Sequence, residues 1–221
     1  MRFDILTIFP NILDSYIKES ILKIAQAKEK IKINTYDIRE FTKDKHKKID
    51  DTPYGGGPGM VMMVQPIYDC LKSIPRMERS RIIMLDPAGP EYTQKTAASY
   101  SKVFDQIILI CGRYEGFDDR VHKLVDERLS IGKYILSGGE LPALIIVESV
   151  TRLLPGVLGD AESIVEETYS ENLDYVEYPQ YTRPATFKTD GGKEWNVPNV
   201  LQSGDHGKID KWREENHRKN D

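Results

Sequence analysis

From Leu144 to Leu154 the chain is dominated by apolar residues, and the run stops at Pro155-Gly156. A helix with so little polar surface has to be buried. It is entered through Ser137-Gly-Gly-Glu-Leu-Pro142, where Gly138 and Gly139 let another backbone or a ligand approach closely and Pro142 belongs in a first helical turn. The preceding Ser130 to Leu136 reads as the end of a strand. Strand, glycine turn and helix N-terminus in that order are a combination met in α/β folds. The same arrangement is a common ligand platform, and also an ordinary strand-to-helix connection.

The chain opens in the same style. Phe3 to Phe9 reads as a buried strand, Asn11 caps a helix with Leu13, Tyr16, Ile17, Ile21 and Ile24 on its apolar face, and Ile31, Ile33 and Thr35 alternate as a second strand. A β-α-β start favours a largely parallel sheet. Helices are predicted from Pro66, from Thr93 to about Val103, and around Asp119 to Val125, with strands at Arg81 to Leu85 and a central one at Gln106 to Cys111. Three strands therefore run into glycine turns, at 86–90, 112–116 and 137–140. Ligands in open α/β sheets bind beyond strand C-termini. Such turns offer backbone polar groups and little bulk, which suits an adenosine-bearing cofactor better than a phosphate. None carries Gly-x-Gly-x-x-Gly, so a dinucleotide site is disfavoured.

Two further stretches ask for a function. Lys43-Asp-Lys-His-Lys-Lys48 is basic and runs into Ile49-Asp-Asp-Thr-Pro-Tyr-Gly-Gly-Gly-Pro-Gly-Met60. So much glycine and proline forbids regular structure, and no Gly-Lys-Ser/Thr follows to make a phosphate-binding Walker loop. With Asp50, Asp51 and Tyr54 beside a basic run, this loop suits an RNA base and its phosphates. Net charge is −4, which rules out a chain coated in positive charge but not local basic patches. Two cysteines, Cys70 and Cys111, sit in apolar segments without metal spacing, so no metal site and a reduced, cytoplasmic setting are expected. No apolar run is long enough for a membrane span. After Gly159 the pattern becomes acidic and aperiodic, which reads as a linker. Pro179 to Pro184 is extended, and Ser203 or Asp205 caps a last helix carrying Ile209 and Trp212.

Taken together, Ile49 to Met60, Met62-Met-Val-Gln-Pro66, Cys111-Gly-Arg-Tyr-Glu-Gly116, Ser130 to Ala143, Arg152-Leu-Leu-Pro-Gly-Val-Leu-Gly159 and Tyr181-Thr-Arg-Pro184 resemble the bacterial tRNA (guanine-N1-)-methyltransferases of the TrmD type, over nearly the whole chain. The resemblance implies a SPOUT-type α/β fold: a largely parallel sheet with a deep C-terminal trefoil knot, plus a small, mainly helical C-terminal domain. It implies residues 1–159 as the methyltransferase domain, 160–177 as a linker and 178–221 as a tRNA-binding domain. It implies a cytoplasmic homodimer, with the active site at the subunit interface and no membrane association. S-adenosylmethionine would lie against Leu85, Asp86, Pro87, Gly89, Gly112, Glu115, Ile131, Gly132, Tyr134, Leu136, Gly138 and Gly139. The substrate would be tRNA, methylated on N1 of the guanine just 3′ of the anticodon and met by His46, Asp50, Tyr54, Gly59 and Tyr114. Mg²⁺ stands as a further cofactor that the residues do not specify.

Guanine N1 carries a proton and becomes nucleophilic only when it leaves, so a carboxylate base is useful, and an arginine can stabilise the charge that develops. Arg152 matches the family arginine. At the usual aspartate this chain has Glu167, with Glu166 as the neighbouring candidate. The family also continues beyond the position of Trp212-Arg213, which shifts expected RNA contacts towards the loop at 43–48. These two departures motivate a second reading, an RNA-binding SPOUT dimer with weak or lost catalysis. A SPOUT methyltransferase with another RNA target is a third.

Overall fold

The computed structural model describes residues 1–158, 168–169 and 175–219. The chain divides into two compact units, Met1–Ala161 and Glu162–Asp221. The first runs through β1 (Arg2–Thr7), α1 (Asn11–Ile17), α2 (Ser20–Ala27), β2 (Lys32–Asp37), β3 (Asp50–Asp51), β4 (Val61–Met62), α3 (Val64–Ser73), β5 (Ser80–Leu85), α4 (Gln94–Val103), β6 (Gln106–Cys111), β7 (Glu127–Leu129) and α5 (Glu140–Arg152). Its main sheet has the order β2-β1-β6-β5-β7, with every neighbouring pair parallel. The α/β class and the central place of β6 are as the sequence implies.

Helices cover both faces, so the inner strands are largely apolar, with the charged Asp4 on β1 as a buried exception. On β6, Ile107, Leu109 and Cys111 join Phe3, Ile5, Ile83 and Leu85 in one core, while Ile108 and Ile110 join Leu6, Ile82 and Met84 in the other. The first core is roofed by Leu13, Leu22, Ala97, Ile146 and Val150 from α1, α2, α4 and α5. The second is roofed by Ile67 and Cys70 from α3. Burial pushes the Cys70 thiol up to about 12, so it behaves as a small apolar side chain.

Three local expectations are corrected. The helix expected across Asn11 to Ile24 is two helices, broken at Lys18-Glu19 with Ser20 at φ +47°. Leu22 lies five residues beyond Ile17 and falls off one helical stripe. The break re-phases the chain so that Leu22 and Ala25 face the core while Tyr16 and Ile24 are exposed. The strand expected at Ser130 to Leu136 instead ends at Leu129. There Ser130 turns aside to exchange hydrogen bonds with the preceding loop, donating to the Pro90 carbonyl and accepting from the Tyr92 N–H. The helix expected at Asp119 to Val125 is a 3₁₀ turn over Asp119–Leu124, started by the Asp118 carboxylate accepting from the Arg120 N–H.

In the second unit, β8 (Tyr175–Val176), β9 (Thr186–Lys188), β10 (Glu194–Asn196), α6 (His206–Glu215) and β11 (Arg218–Lys219) follow. β9 and β10 form an antiparallel hairpin, and β8 pairs antiparallel with β11. Asp205 caps α6 by accepting from the Lys208 N–H. Trp212 packs edge-on against Tyr178 and Tyr181.

One buried charge locks the sheet's N-terminal edge. Asp4, wholly buried on β1, accepts from Arg2 Nε at 2.8 Å, Asn34 Nδ2 at 2.8 Å, Tyr36 Oη at 3.2 Å and Gln106 Nε2 at 2.6 Å. The carboxylate thus joins three adjacent strands. Removing it strands these donors in a dry site. Asp4→Ala is expected to cost about 3 kcal/mol of unfolding free energy, read from urea titration.

Candidate active site

Strands β5, β6 and β7 end side by side at Leu85, Cys111 and Leu129, and the loops that leave them close around one cleft of about 390 Å³. That volume is the size of a small-molecule site. Leu85 and Leu129 come from the strand ends, Asp86 and Pro87 from the first loop, and Gly112 to Gly116 from the second. Residues 130–132 and 134–139 come from the third, and Pro142 from the first turn of α5.

The walls are built by backbone lying on backbone. The Gly139 N–H donates to the Gly112 carbonyl at 3.0 Å, and Arg113 pairs with Gly138 in an antiparallel bridge. A Cβ on Gly139 would stand 2.7 Å from Cys111 Cα and 3.0 Å from Gly112 N. One on Gly138 would run into the Arg113 guanidinium. Tyr134 lies across Gly132 and donates from Oη to the Ile131 carbonyl at 3.2 Å. Tyr114, half-exposed on the wall, sits at φ +59°, an uncommon conformation for a bulky residue. Strain of this kind gathers at functional sites.

The glycine loop of the substrate reading is latched to this wall. Short strands β3 and β4 close it, the Glu115 N–H donates to the Met60 carbonyl, and the Met62 N–H donates to the Gly116 carbonyl. Regular structure thus begins at both ends of the segment, while residues 52–60 between them stay irregular; Gly55, Gly56, Gly57 and Gly59 all have positive φ.

Of the residues predicted for the cofactor, all but Gly89 line the cleft. Gly89 turns away, so close to Leu129 N that a Cβ would stand 2.9 Å from it. Among those predicted for the substrate, Tyr114 lines the cleft, and His46, Asp50, Tyr54 and Gly59 stand outside it. Gly59 abuts the Glu115 side chain, Tyr54 is fully exposed, and Asp50 is half-buried in β3. His46 belongs to a folded turn rather than a free charge run. The Asp44 carboxylate accepts from the N–H groups of His46 and Lys48, which hold its pKa below the usual range, while Lys47 pairs with Glu40 and Lys48 with Asp51.

Arg152 is the last residue of α5 and does not line the cleft. From Pro142, in the wall, the helix carries it about 15 Å away. Glu167 and Glu166 lie outside the described residues. Among the described residues no group of three or more His, Cys, Asp or Glu side chains is placed to hold a metal ion. Sequence reasoning missed Arg113 and His122 in the lining, and the buried acid Glu140 behind it. The signal available for Glu140 was an acid at the mouth of an otherwise apolar helix.

A family model described as tRNA (Guanine-1)-methyltransferase TrmD matches residues 1–221. The chain belongs to the tRNA (guanine-1)-methyltransferase family. Among similar curated proteins, a tRNA (guanine-N(1)-)-methyltransferase of Clostridioides difficile is 51% identical over 219 residues, covering 97% of this chain and 91% of the relative. One of the same name from Caldanaerobacter subterraneus subsp. tengcongensis is 47% identical over 213 residues, covering 96% and 85%. Another from Shouchella clausii is 49% identical over 217 residues, covering 97% and 86%.

The cleft walls make a prediction that separates crowding from conformation. Gly139 has φ −83°, which alanine accepts, but no room for a Cβ. Gly55 has φ +86° and open space. Gly139→Ala is expected to destabilise by about 2 kcal/mol or more. Gly55→Ala should cost less, about 1–2 kcal/mol, since only backbone strain opposes it. Chemical denaturation of both variants checks the order.

Proposed function

We infer that this protein transfers the methyl group of S-adenosylmethionine to N1 of the guanine immediately 3′ of the anticodon in tRNA. The observation that carries the reading is the glycine-walled cleft at three parallel strand ends, in a chain of this family. The cleft fits an adenosine-bearing group. It has an apolar floor, exposed backbone edges, and walls that side chains would fill. Leu85, Gly112, Ile131, Tyr134, Leu136 and Gly138 would hold the cofactor. When bound, it supplies an activated methyl group on a sulfonium.

The protein's own task is to prepare the guanine. Glu167 takes the N1 proton. Arg152 stabilises the negative charge left on the guanine ring, and in water-poor surroundings such a contact is worth far more than in bulk. Alignment of N1 with the methyl carbon is the remaining step, and rigid walls serve it. The guanine must leave its stack to be reached. Tyr114 and Tyr54 are read as its aromatic contacts, Asp50 and Gly59 as shaping its loop, and His46 with the turn at 43–48 as touching RNA phosphates. Residues 178–221 are read as the domain that grips the anticodon stem.

Arg152 at the far end of α5 from the cleft supports a site completed by a second copy. So do the exposed apolar residues Ile12 and Tyr16 of α1 and Leu141 and Ile145 of α5. Tyr16 bonds Glu148, on the turn after Ile145, so the two helices present neighbouring apolar faces of a kind that mark interfaces. A trefoil knot is read at the cleft. Its support is that the chain, having formed the edge strand β7, comes back to the end of β6, where α5 starts and packs beside β6 and β1. Among the described residues no helix is long and apolar enough to cross a membrane, and cytoplasmic action on tRNA is the reading that fits.

The test is transfer of labelled methyl from S-adenosylmethionine to a tRNA transcript, with nucleoside analysis of the product and a parallel run in a chelator to read any Mg²⁺ requirement. Expected is 1-methylguanosine next to the anticodon. Arg152→Ala should lower kcat about 100-fold or more, with cofactor affinity unchanged. Glu167→Ala should lower it by about 10²–10⁴. Cofactor binding without transfer would favour an RNA-binding dimer, and transfer to a tRNA with adenine at that position would favour another target.

A further inference from the structure

We propose that Glu140 is a positioning residue that makes the cleft selective for a cationic ligand, by keeping the Arg113 guanidinium out of it. The inference rests on reading the cleft as the S-adenosylmethionine site.

Glu140 opens α5, is 1% exposed, and does not line the cleft. Its Oε1 accepts from Thr7 Oγ1 at 2.6 Å and from Arg113 Nε at 3.3 Å. Its Oε2 stands 2.8 Å from Arg113 Nη2, at ion-pair distance but outside hydrogen-bond geometry, and has no hydrogen-bond partner of its own. The Thr7 hydroxyl also accepts from the Phe9 N–H at 2.9 Å, and the Arg113 guanidinium lies over the Phe9 ring at 4.8 Å. One buried carboxylate therefore ties the end of β1, the loop after β6 and the start of α5.

Arg113 is the other half of this arrangement. It is a residue of the cleft wall whose backbone is bridged to Gly138, and its side chain is 18% exposed, so most of the cation is held in a dry site. It lies against Gly138, where Glu140 Oε2 also comes within 2.5 Å of the position a Cβ would take. A buried cation stays buried only while its counter-charge stays with it. Without the Glu140 charge the guanidinium leaves for water, and the cleft that Arg113 borders is open to it. A guanidinium there would repel a sulfonium while leaving a neutral thioether almost unaffected. Buried ion pairs add little net stability, so a role in placing charge accounts for this pair better than a role in holding the fold.

Calorimetry at low ionic strength with S-adenosylmethionine and S-adenosylhomocysteine tests this, because the two differ by the sulfonium charge. Glu140→Gln is expected to weaken the cationic ligand about tenfold and the neutral one by about twofold or less. The double variant Arg113→Gln/Glu140→Gln, which removes both charges, is expected to restore the wild-type preference. Should Glu140→Gln fail to fold, Glu140→Asp draws the carboxylate back by one methylene, and a smaller loss confined to the cationic ligand is expected. Equal weakening of both ligands, or no change in either, would overturn the proposal and leave Glu140 a structural residue. A wild-type protein that binds neither ligand would remove the cofactor reading and this inference with it.

Discussion

The contact on which the site depends is the one between the backbones of Gly112 and Gly139. Two loops that leave different strands come within hydrogen-bond distance, at 3.0 Å, with Cys111 Cα directly beneath. No side chain larger than hydrogen fits at Gly139, so the contact is specified sterically rather than by attraction. One hydrogen bond contributes about 1 kcal/mol. Its larger effect is geometric, because it sets where α5 begins, how far the third loop stands from the second, and hence the width of the cleft.

Such a contact persists only if both loops are anchored from behind. The anchors are the two cores. Cys111 belongs to one and Ile110 to the other, so the end of β6 is gripped on both faces. α5 is gripped along its length by Ala143, Ile146, Val147 and Val150. Close packing of this kind leaves little slack to absorb a shift. The polar residues at the junction, Thr7, Glu140 and Arg113, are accordingly tied to one another rather than to water. The same logic operates at the opposite edge of the sheet, where Asp4 gathers donors from β2 and β6. A parallel sheet covered on both faces has few places for a polar group, and the carboxylates of Asp4 and Glu140 draw their partners from distant parts of the chain.

Those long-range partners mark the limit of what the sequence made legible. The strand-end glycine turns, the buried helix and the parallel sheet could be read because each rests on local chemistry: apolar runs for strands covered on both faces, and glycine where backbones meet. The cleft-lining residues were legible through the family motifs, and Gly89 shows the limit of that route, since its glycine packs against Leu129 and not into the cleft wall. The break between α1 and α2 was hidden because Ile21 and Ile24 fit a continuous helical stripe. Only the core's demand for Leu22 and Ala25 reveals the re-phasing. Glu140 was hidden for a related reason. An acid in a first helical turn already has a local explanation in the helix dipole, and its partners stand 133 and 27 residues away. The sequence gives no local sign of them.

α5 sets two features far apart on one rigid element. Its first turn builds the cleft wall, and its last residue is Arg152. Thirteen helical residues span about 18 Å from end to end, several times the reach of a methyl transfer. A well-packed helix cannot fold back to close that distance. If Arg152 serves the guanine whose methyl donor lies at the N-terminal end, the arginine must come from another copy of the chain. The exposed apolar faces of α1 and α5 flank this same helix. On this reading a stiff helix that keeps the two functions apart within one chain is what makes the second chain necessary, and dimerisation becomes a condition for assembling the catalytic site.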